Sequence, residues 1–233
     1  MAADPLVSVV VPAYNEAATI EGVLRRVAEL PLRTEIVVVD DGSTDDTPQI
    51  LERLSGEIEG LRHERQPNGG KGAAVRRGIA VSQGDFVLIQ DADLEYDPVD
   101  IPLLLGPLLD GRADAVYGTR LRGGKPQRAH LFWHYAGNRF LSLLTNVMFN
   151  TTISDMEVGY KAFRGDLVRG IPLVSDDFRF EPEITAKILQ RGARLYEVPI
   201  SYYGRTYAEG KKITWRDGLL AVGALVRFRV SSK

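Results

Sequence analysis

Asp91 and Asp93 stand two residues apart, directly after the apolar run Phe86-Val87-Leu88-Ile89. A run that short, with Gly84-Asp85 before it and acids after it, reads as a buried strand ending at a sheet edge. Two carboxylates crowded at such an edge repel each other unless a cation compensates. Hard divalent ions such as Mg²⁺ take oxygen ligands of this kind, commonly one or two carboxylates completed by substrate phosphates. The pair therefore points to a metal, a phosphorylated ligand and the rim that holds both. The bland alternative is a solvated acidic turn before Pro98, because Asp-x-Asp is common by itself.

Three further segments carry chemistry. Pro12-Ala13-Tyr14-Asn15-Glu16 offers a ring that can stack on a base and a carboxylate that can accept a ribose hydroxyl. Asp40-Asp41-Gly42-Ser43 offers Asp41 as an acceptor for a base N–H, although the same residues also open ordinary helices. Asn68-Gly69-Gly70-Lys71-Gly72 lies just before a helical pattern. Its glycines let backbone approach a phosphate, and a helix N-terminus favours anions. It is neither a Walker A loop nor a dinucleotide fingerprint, since the required glycine and hydroxyl positions are not filled. Two basic runs follow, Arg120, Arg122, Lys125 and Arg128, then Arg205, Lys211, Lys212 and Arg216. Either can grip an anionic acceptor or simply solubilise the surface. Glu181 and Glu183 can serve as a base, or stabilise the start of the helix that follows.

The elements that must position these residues alternate. Val7 to Val11 reads as a buried strand stopped by Pro12, and Ala17 to Leu30 as a helix. Glu35 to Val39 is a second strand, and Ser43 with Asp46 gives a capping-box spacing for the next helix. Leu61 to Arg65 is a weaker strand. Lys71 to Gln83 reads as a helix with Gly84 as its stop. A strand at Phe86 to Gln90, a helix at about Val99 to Leu109 and a strand at Ala113 to Thr119 complete the first half. Such alternation predicts an α/β fold with a mostly parallel sheet covered by helices on both faces. Ligands of such sheets bind beyond the carboxyl ends of the strands, where the three acidic loops meet. The second half reads as an acceptor-side subdomain with amphipathic helices at Leu131 to Phe149 and Trp215 to Val230. Between them, Glu183 to Gln190 reads as helical and Leu195 to Tyr202 as extended. The expectation is one domain over residues 1–233, divided into a first half (1–119), which the family resemblance given below implies to be the nucleotide-sugar half, and an acceptor-side half (120–233).

The chain has 233 residues, 44% hydrophobic and 26% charged, enough for one large buried core. A net charge of -2 gives no argument for nucleic acid. The lack of cysteine excludes disulfides and thiolate metal sites, and three histidines argue against a multi-histidine site. The start lacks the pattern of a secretory signal. No stretch approaches the roughly 18 apolar residues of a membrane span. These features read as a cytoplasmic protein that touches a membrane surface without crossing it.

The order is more specific than any one motif. Val-Pro-Ala-Tyr-Asn-Glu (11–16), Val-Asp-Asp-Gly-Ser (39–43), Asn-Gly-Gly-Lys-Gly (68–72) and Asp-Ala-Asp (91–93) resemble, in order and approximate spacing, inverting family 2 glycosyltransferases of the GT-A fold. Tyr-Gly-Thr-Arg (117–120), Ser-Asp-Met-Glu-Val-Gly-Tyr-Lys (154–161), Phe-Glu-Pro-Glu (180–183) and Arg-Thr-Tyr-Ala-Glu-Gly-Lys-Lys (205–212) resemble dolichol-phosphate mannose synthase and bacterial polyprenyl-phosphate glycosyltransferases. The resemblance implies that Pro12, Tyr14, Glu16 and Asp41 hold the nucleotide, with Lys71 and Asp91 on the same cofactor side. Asp91, Asp93 and Glu95 would take Mg²⁺ or Mn²⁺. Asp93, Arg120, Arg205 and Lys211 would form the catalytic set, the cations facing the lipid phosphate and the donor diphosphate. The implied donor is GDP-mannose or UDP-glucose, and the implied acceptor is a polyprenyl phosphate met at a membrane or through a membrane partner subunit.

A phosphate acceptor is mostly dianionic at neutral pH. It can attack an anomeric carbon without a general base. A family 2 transferase that uses a sugar hydroxyl is the alternative and would need Glu181 or Glu183 as base. A non-catalytic nucleotide-sugar-binding module is a further alternative.

Overall fold

The computed structural model describes residues 4–124, 132–204 and 215–230. Among them, seven strands form one sheet in the order β3-β2-β1-β4-β6-β5-β7. The first four are β1 (Val7–Ala13), β2 (Thr34–Asp40), β3 (Leu61–Arg65) and β4 (Phe86–Ile89), all mutually parallel where they pair. Their connections are α1 (Ile20–Ala28), α2 (Thr47–Glu57) and α3 (Lys71–Val81). Near-continuous apolar strands such as Ile36-Val37-Val38-Val39 are what a sheet buried on both faces requires. Helix α1 lays Ile20, Val23, Leu24 and Val27 onto the core, the spacing of one apolar stripe.

A 3-10 turn (Pro98–Asp100) and α4 (Ile101–Leu109) lead from β4 to β5 (Ala115–Thr119). Helix α5 (Phe132–Phe149) then precedes β6 (Lys161–Arg164), which is inserted antiparallel between β4 and β5. Its reversed direction puts the residues that enter β6 on the rim where β4 and β5 end. The chain continues through α6 (Gly165–Arg169), α7 (Phe180–Gln190), β7 (Leu195–Pro199) and α8 (Trp215–Val230). Helices α5 and α8 share a small apolar cluster of Leu141, Ile153, Met156, Ala221 and Leu225, separate from the main core.

Several local expectations are corrected. Pro12 does not stop β1, which continues to Ala13 and pairs Pro12 with Val39. The β1–β4 ladder ends at Val10, whose carbonyl accepts from Gln90. Alternation along the strand aims the position 12 nitrogen at that same side, beyond the last pair, so a missing N–H costs no ladder bond. Ser43 does not cap α2. The helix begins at Thr47 behind Asp46, and the Ser43 hydroxyl instead accepts from Asn15 N at 2.9 Å. Helix α7 begins at Phe180 rather than Glu183, which brings both glutamates into its first turn. Strand β6 was not anticipated, because four residues opening on a lysine show no strand pattern. Helix α3 ends at Val81, and Gly84 is not its stop.

Gly84 is required by a close backbone crossing. A Cβ at that position would lie 2.6 Å from both Ser8 N and Ser8 Oγ. Overpacking a rigid contact of this kind costs about 1–3 kcal/mol. A Gly84→Ala variant is therefore expected to unfold at lower denaturant than the parent protein. An unchanged midpoint would show that the crossing yields without strain.

Candidate active site

The first two acidic loops are stitched together by their own polar groups. Asn15 adopts a left-handed backbone (φ 54), which asparagine tolerates better than most residues. Its side-chain oxygen accepts from Thr44 N at 2.8 Å. Glu16 N donates to Thr47 Oγ1 at 3.0 Å, and Ala17 N to Asp45 Oδ2 at 3.1 Å. Tyr14 remains exposed at the edge of this seam and Pro12 lies at its base. The Glu16 carboxylate accepts from the Thr19 hydroxyl at 3.1 Å.

Asp41 is buried and braces the glycine-rich loop. One oxygen accepts from Gln66 Nε2 at 2.8 Å and Gly69 N at 2.9 Å, and the other from Gly70 N at 2.7 Å. The glycines answer to a chain crossing as well. Gly70 has φ 98, and a Cβ there would meet the Asp176 carbonyl oxygen at 2.6 Å. Ala73 N, in the first turn of α3, donates to that same carbonyl at 3.0 Å.

Lys71 opens α3 and reaches across the rim. Its Nζ lies 2.7 Å from Asp91 Oδ1, 3.0 Å from Asp91 Oδ2 and 3.5 Å from Glu181 Oε1. Burial opposes the charge on Lys71, but the carboxylates of Asp91 and Glu181 outweigh it and hold its pKa above the ordinary lysine value. Glu181 in turn pairs with Lys161, a lysine with no exposed surface whose Nζ also donates to the carbonyls of Met156 and Val158. Charge thus alternates along Asp91, Lys71, Glu181 and Lys161. Gly159 admits this arrangement, since a Cβ there would stand 2.5 Å from Asp91 Oδ2 and 3.0 Å from Lys71 Nζ.

Asp93 and Glu95 lie on a tight turn. Asp93 Oδ1 accepts from Glu95 N at 3.1 Å, and Leu94 between them is left-handed (φ 59), an uncommon backbone for leucine. Glu95 Oε2 accepts from Tyr202 OH at 2.9 Å. Arg120 lies over the Tyr202 ring, 5.0 Å from its centroid. A tyrosine therefore joins the acidic turn to the arginine. Arg120 makes a two-pronged pair with Asp155, Nε to Oδ2 and Nη2 to Oδ1, both at 2.7 Å. Asn138 Nδ2 adds a 2.6 Å bond to the same carboxylate. Burial opposes the Arg120 charge, yet the Asp155 carboxylate raises its pKa well above the ordinary value.

The site thus brings together Pro12, Tyr14, Glu16, Asp41, Lys71, Asp91, Asp93, Glu95 and Arg120 on one edge of the sheet. Arg205 and Lys211, with the rest of the second basic run up to position 214, lie outside the described residues, as do Lys125 and Arg128. Asp155, Glu157 and Lys161 were not singled out from their residue types. Their one signal was the Ser-Asp-Met-Glu-Val-Gly-Tyr-Lys segment. Among the described residues no three histidine, aspartate or glutamate side chains are gathered as a ready metal cage. A site of one or two carboxylates completed by diphosphate oxygens needs no such cage; the hard oxygens of Asp93 fit it, and Asp91 fits it once Lys71, now on both its oxygens, gives one up to the ion.

The family model for glycosyl transferase family 2 matches residues 8–171, which include every rim loop from Pro12 to Gly159. The chain belongs to that family. Glycosyltransferase AglJ of Haloferax volcanii is 31% identical over 200 residues, covering 85% of this chain and 63% of AglJ. Dodecaprenyl-phosphate galacturonate synthase of Rhizobium johnstonii is 29% identical over 211 residues, covering 88% of this family 2 chain and 61% of the synthase. The chain thus spans about three fifths of the length of these two relatives. Glucosyl-3-phosphoglycerate synthase of Mycobacterium tuberculosis, solved with Mn²⁺, UDP and phosphoglyceric acid, superposes with a TM-score of 0.75. That likeness covers 97% of this chain and 78% of the other at 24% identity, and it shows the shared GT-A fold.

One acid of this family 2 chain has an unusual titration. Burial, then the nearby Glu181 carboxylate, pushes Glu157 up to about 7 from an ordinary 4.5. The folded chain holds that proton more tightly than the unfolded chain. Stability from this group is therefore greatest at low pH and falls as pH rises from about 4.5 to about 7, by up to about 3 kcal/mol. Glu157→Gln removes the proton equilibrium. The variant is expected to gain on the parent protein between pH 5 and pH 8 in denaturation midpoints. Parallel pH curves would show that Glu157 titrates normally.

Proposed function

We propose that this chain transfers a hexose, with inversion, from a nucleoside diphosphate sugar such as GDP-mannose or UDP-glucose to a polyprenyl phosphate. The observation that carries the proposal is the opposition of two charge types across one rim. Asp91 and Asp93 stand on the β4 side. Arg120, held from behind by buried Asp155, stands on the β5 side. The name of the Rhizobium relative, a polyprenyl-phosphate sugar synthase, supports a lipid phosphate as acceptor.

The roles then follow from geometry and charge. Tyr14, at the open edge of the first loop, would stack on a base, and Glu16 would accept a ribose hydroxyl. Pro12 and Asp41 shape that pocket, Asp41 through its hold on Gly69 and Gly70. Asp91 and Asp93 would hold Mg²⁺ or Mn²⁺ with the donor diphosphate, with Glu95 as a further oxygen ligand. A bound divalent ion supplies neutralisation of charge on the departing diphosphate. Asp155 engages the Nε and Nη2 edge of Arg120. The guanidinium also lies over the Tyr202 ring, and in our reading it turns the remainder of its planar face to the acceptor phosphate, whose oxygens suit a two-pronged contact. In our reading Arg205 and Lys211 add positive charge to the same acceptor phosphate. The phosphate oxygen forms the new bond to the anomeric carbon while the bond from that carbon to the diphosphate oxygen breaks. No proton need be removed from the nucleophile.

A hydroxyl acceptor is less well served. Glu183 accepts from Val174 N and Ser175 N at 2.8 and 2.7 Å and pairs with Lys187, which leaves it poorly placed as a base. Glu181 is paired with Lys161 and faces Lys71.

The isoprenoid tail requires an apolar surface. Helix α5 exposes Phe132, Trp133, Tyr135, Phe140, Leu143 and Val147, with Trp133 82% exposed. Helix α8 exposes Leu219, Leu220, Val226 and Val230 near Arg227 and Arg229. No helix among the described residues is long and apolar enough to cross a membrane. Our reading lays these faces against a bilayer surface, with arginines drawn to anionic lipid.

Two measurements test this. The protein with Mn²⁺, a panel of nucleotide sugars and a polyprenyl phosphate is expected to release nucleoside diphosphate, and Asp93→Asn to lose at least about a hundredfold of that rate, the scale of a lost charge-stabilising group. No release with any donor would overturn the proposal. Flotation with anionic liposomes at low salt is expected to carry the protein upward, and a protein left at the bottom would remove the membrane contact.

A further inference from the structure

The loop from Asp155 to Gly159 bridges the two sides of the site. At one end Asp155 clasps Arg120, and at the other Gly159 packs against Asp91 and Lys71. Glu157 stands midway. Its side chain is partly buried, and its Oε1 is fully buried without any hydrogen-bond partner. Nearby charges come from Glu181 on α7, Lys161 on β6, Arg120 after β5 and Asp155 on its own loop. Glu181 Oε1 is a second buried oxygen with no hydrogen bond, 3.5 Å from Lys71 Nζ. Leaving a buried acceptor unsatisfied costs about 1–3 kcal/mol, so a native chain that keeps the Glu157 oxygen bare beside a second carboxylate needs a reason.

The chemistry of the missing partner can be narrowed. A cation is disfavoured by the ammonium groups of Lys71 and Lys161. An anion is disfavoured by two carboxyl groups. Both objections vanish for neutral hydroxyl groups, which donate to carboxylate oxygens and carry no net charge. The loop also lies between the acids proposed for the donor diphosphate and the arginine proposed for the acceptor phosphate. The transferred sugar must occupy that interval.

We infer that Glu157, supported by Glu181, binds hydroxyl groups of the transferred sugar and selects an uncharged hexose over a uronic acid. The inference rests on the reading of the chain as a nucleotide-sugar transferase, and it narrows the donor class. A uronate would bring a third carboxylate towards Glu157 and Glu181. A hexose hydroxyl would instead satisfy the stranded Glu157 oxygen.

Calorimetric titration with Mn²⁺ at pH 8 tests this without any acceptor. UDP, UDP-glucose and UDP-glucuronate are compared, with GDP, GDP-mannose and GDP-mannuronate as the second set. The wild-type protein is expected to prefer the neutral sugar at least about tenfold over its uronate, the worth of one favourable contact. Glu157→Ala should weaken neutral-donor binding about tenfold while binding of the bare nucleoside diphosphate changes less than about twofold. Glu157→Gln keeps the shape without the charge, and should bring the uronate within a few-fold of the neutral donor. Melting curves of both variants report whether they fold.

A wild-type protein that bound neither nucleoside diphosphates nor their sugars would overturn the transferase reading and this inference with it. Normal donor binding with equal affinity for hexose and uronate would overturn the inference alone. So would a Glu157→Ala variant with weakened turnover but unchanged donor affinity, because that pattern marks a base acting on the acceptor. If both variants fail to melt cooperatively, Glu157 is a structural residue and the inference is lost.

Discussion

The ion pair between Lys71 and Asp91 governs the arrangement of the rim. Two carboxylates at the end of β4 would otherwise repel, and a lysine from the start of α3 supplies the compensating charge from within the chain. The pair is partly buried, so removing one partner strands the other in a site only partly open to water. That constraint extends inward. Lys71 needs Glu181 as well as Asp91, and Glu181 needs Lys161, which needs the carbonyls before β6. Alternating charges therefore fasten α3, α7 and β6 behind the acidic turn.

A second constraint is the closeness of chain segments at the same edge. Gly70, Gly72 and Gly159 all stand where a Cβ would strike a carbonyl or a charged side chain. Such crowding lets short polar bonds, rather than long side chains, connect the loops. The outcome is a preorganised rim. Asp41 fixes the glycine loop, Asn15 fixes the second acidic loop, and Tyr202 ties Glu95 to Arg120. Groups already held in place lose little freedom when a ligand arrives.

The parallel half of the sheet was legible because its strands are continuous apolar runs and its helices carry a clear stripe. The rim was legible for a related reason, since acids directly after such runs can only fall at the sheet edge. Pro12 misled because a missing N–H matters only where a ladder needs it, and ladder ends are a tertiary property. Strand β6 was hidden because Lys161 is buried by a partner twenty residues away, a pairing that local pattern does not reveal. Gly84 and the glycines of the Lys71 loop looked like turn formers or phosphate contacts, and both are demanded by another segment passing close by. Glu157 lies within the 154–161 motif, but nothing in that motif marks its carboxyl as buried. Its character comes from burial beside Glu181, which only three dimensions supply.

The Arg120–Asp155 clasp also defines what lies between its ends. The chain leaves the rim after β5, builds α5, and returns to the rim before β6. Thr119 and Ser154 hydroxyls meet at 2.7 Å beside the clasp, and Ser154 N and Arg122 both engage Glu197. Departure and return are thus riveted at a common base. The helical excursion becomes an exchangeable attachment. Its length or apolar face can drift between descendants, while the chemistry at the base stays where it was.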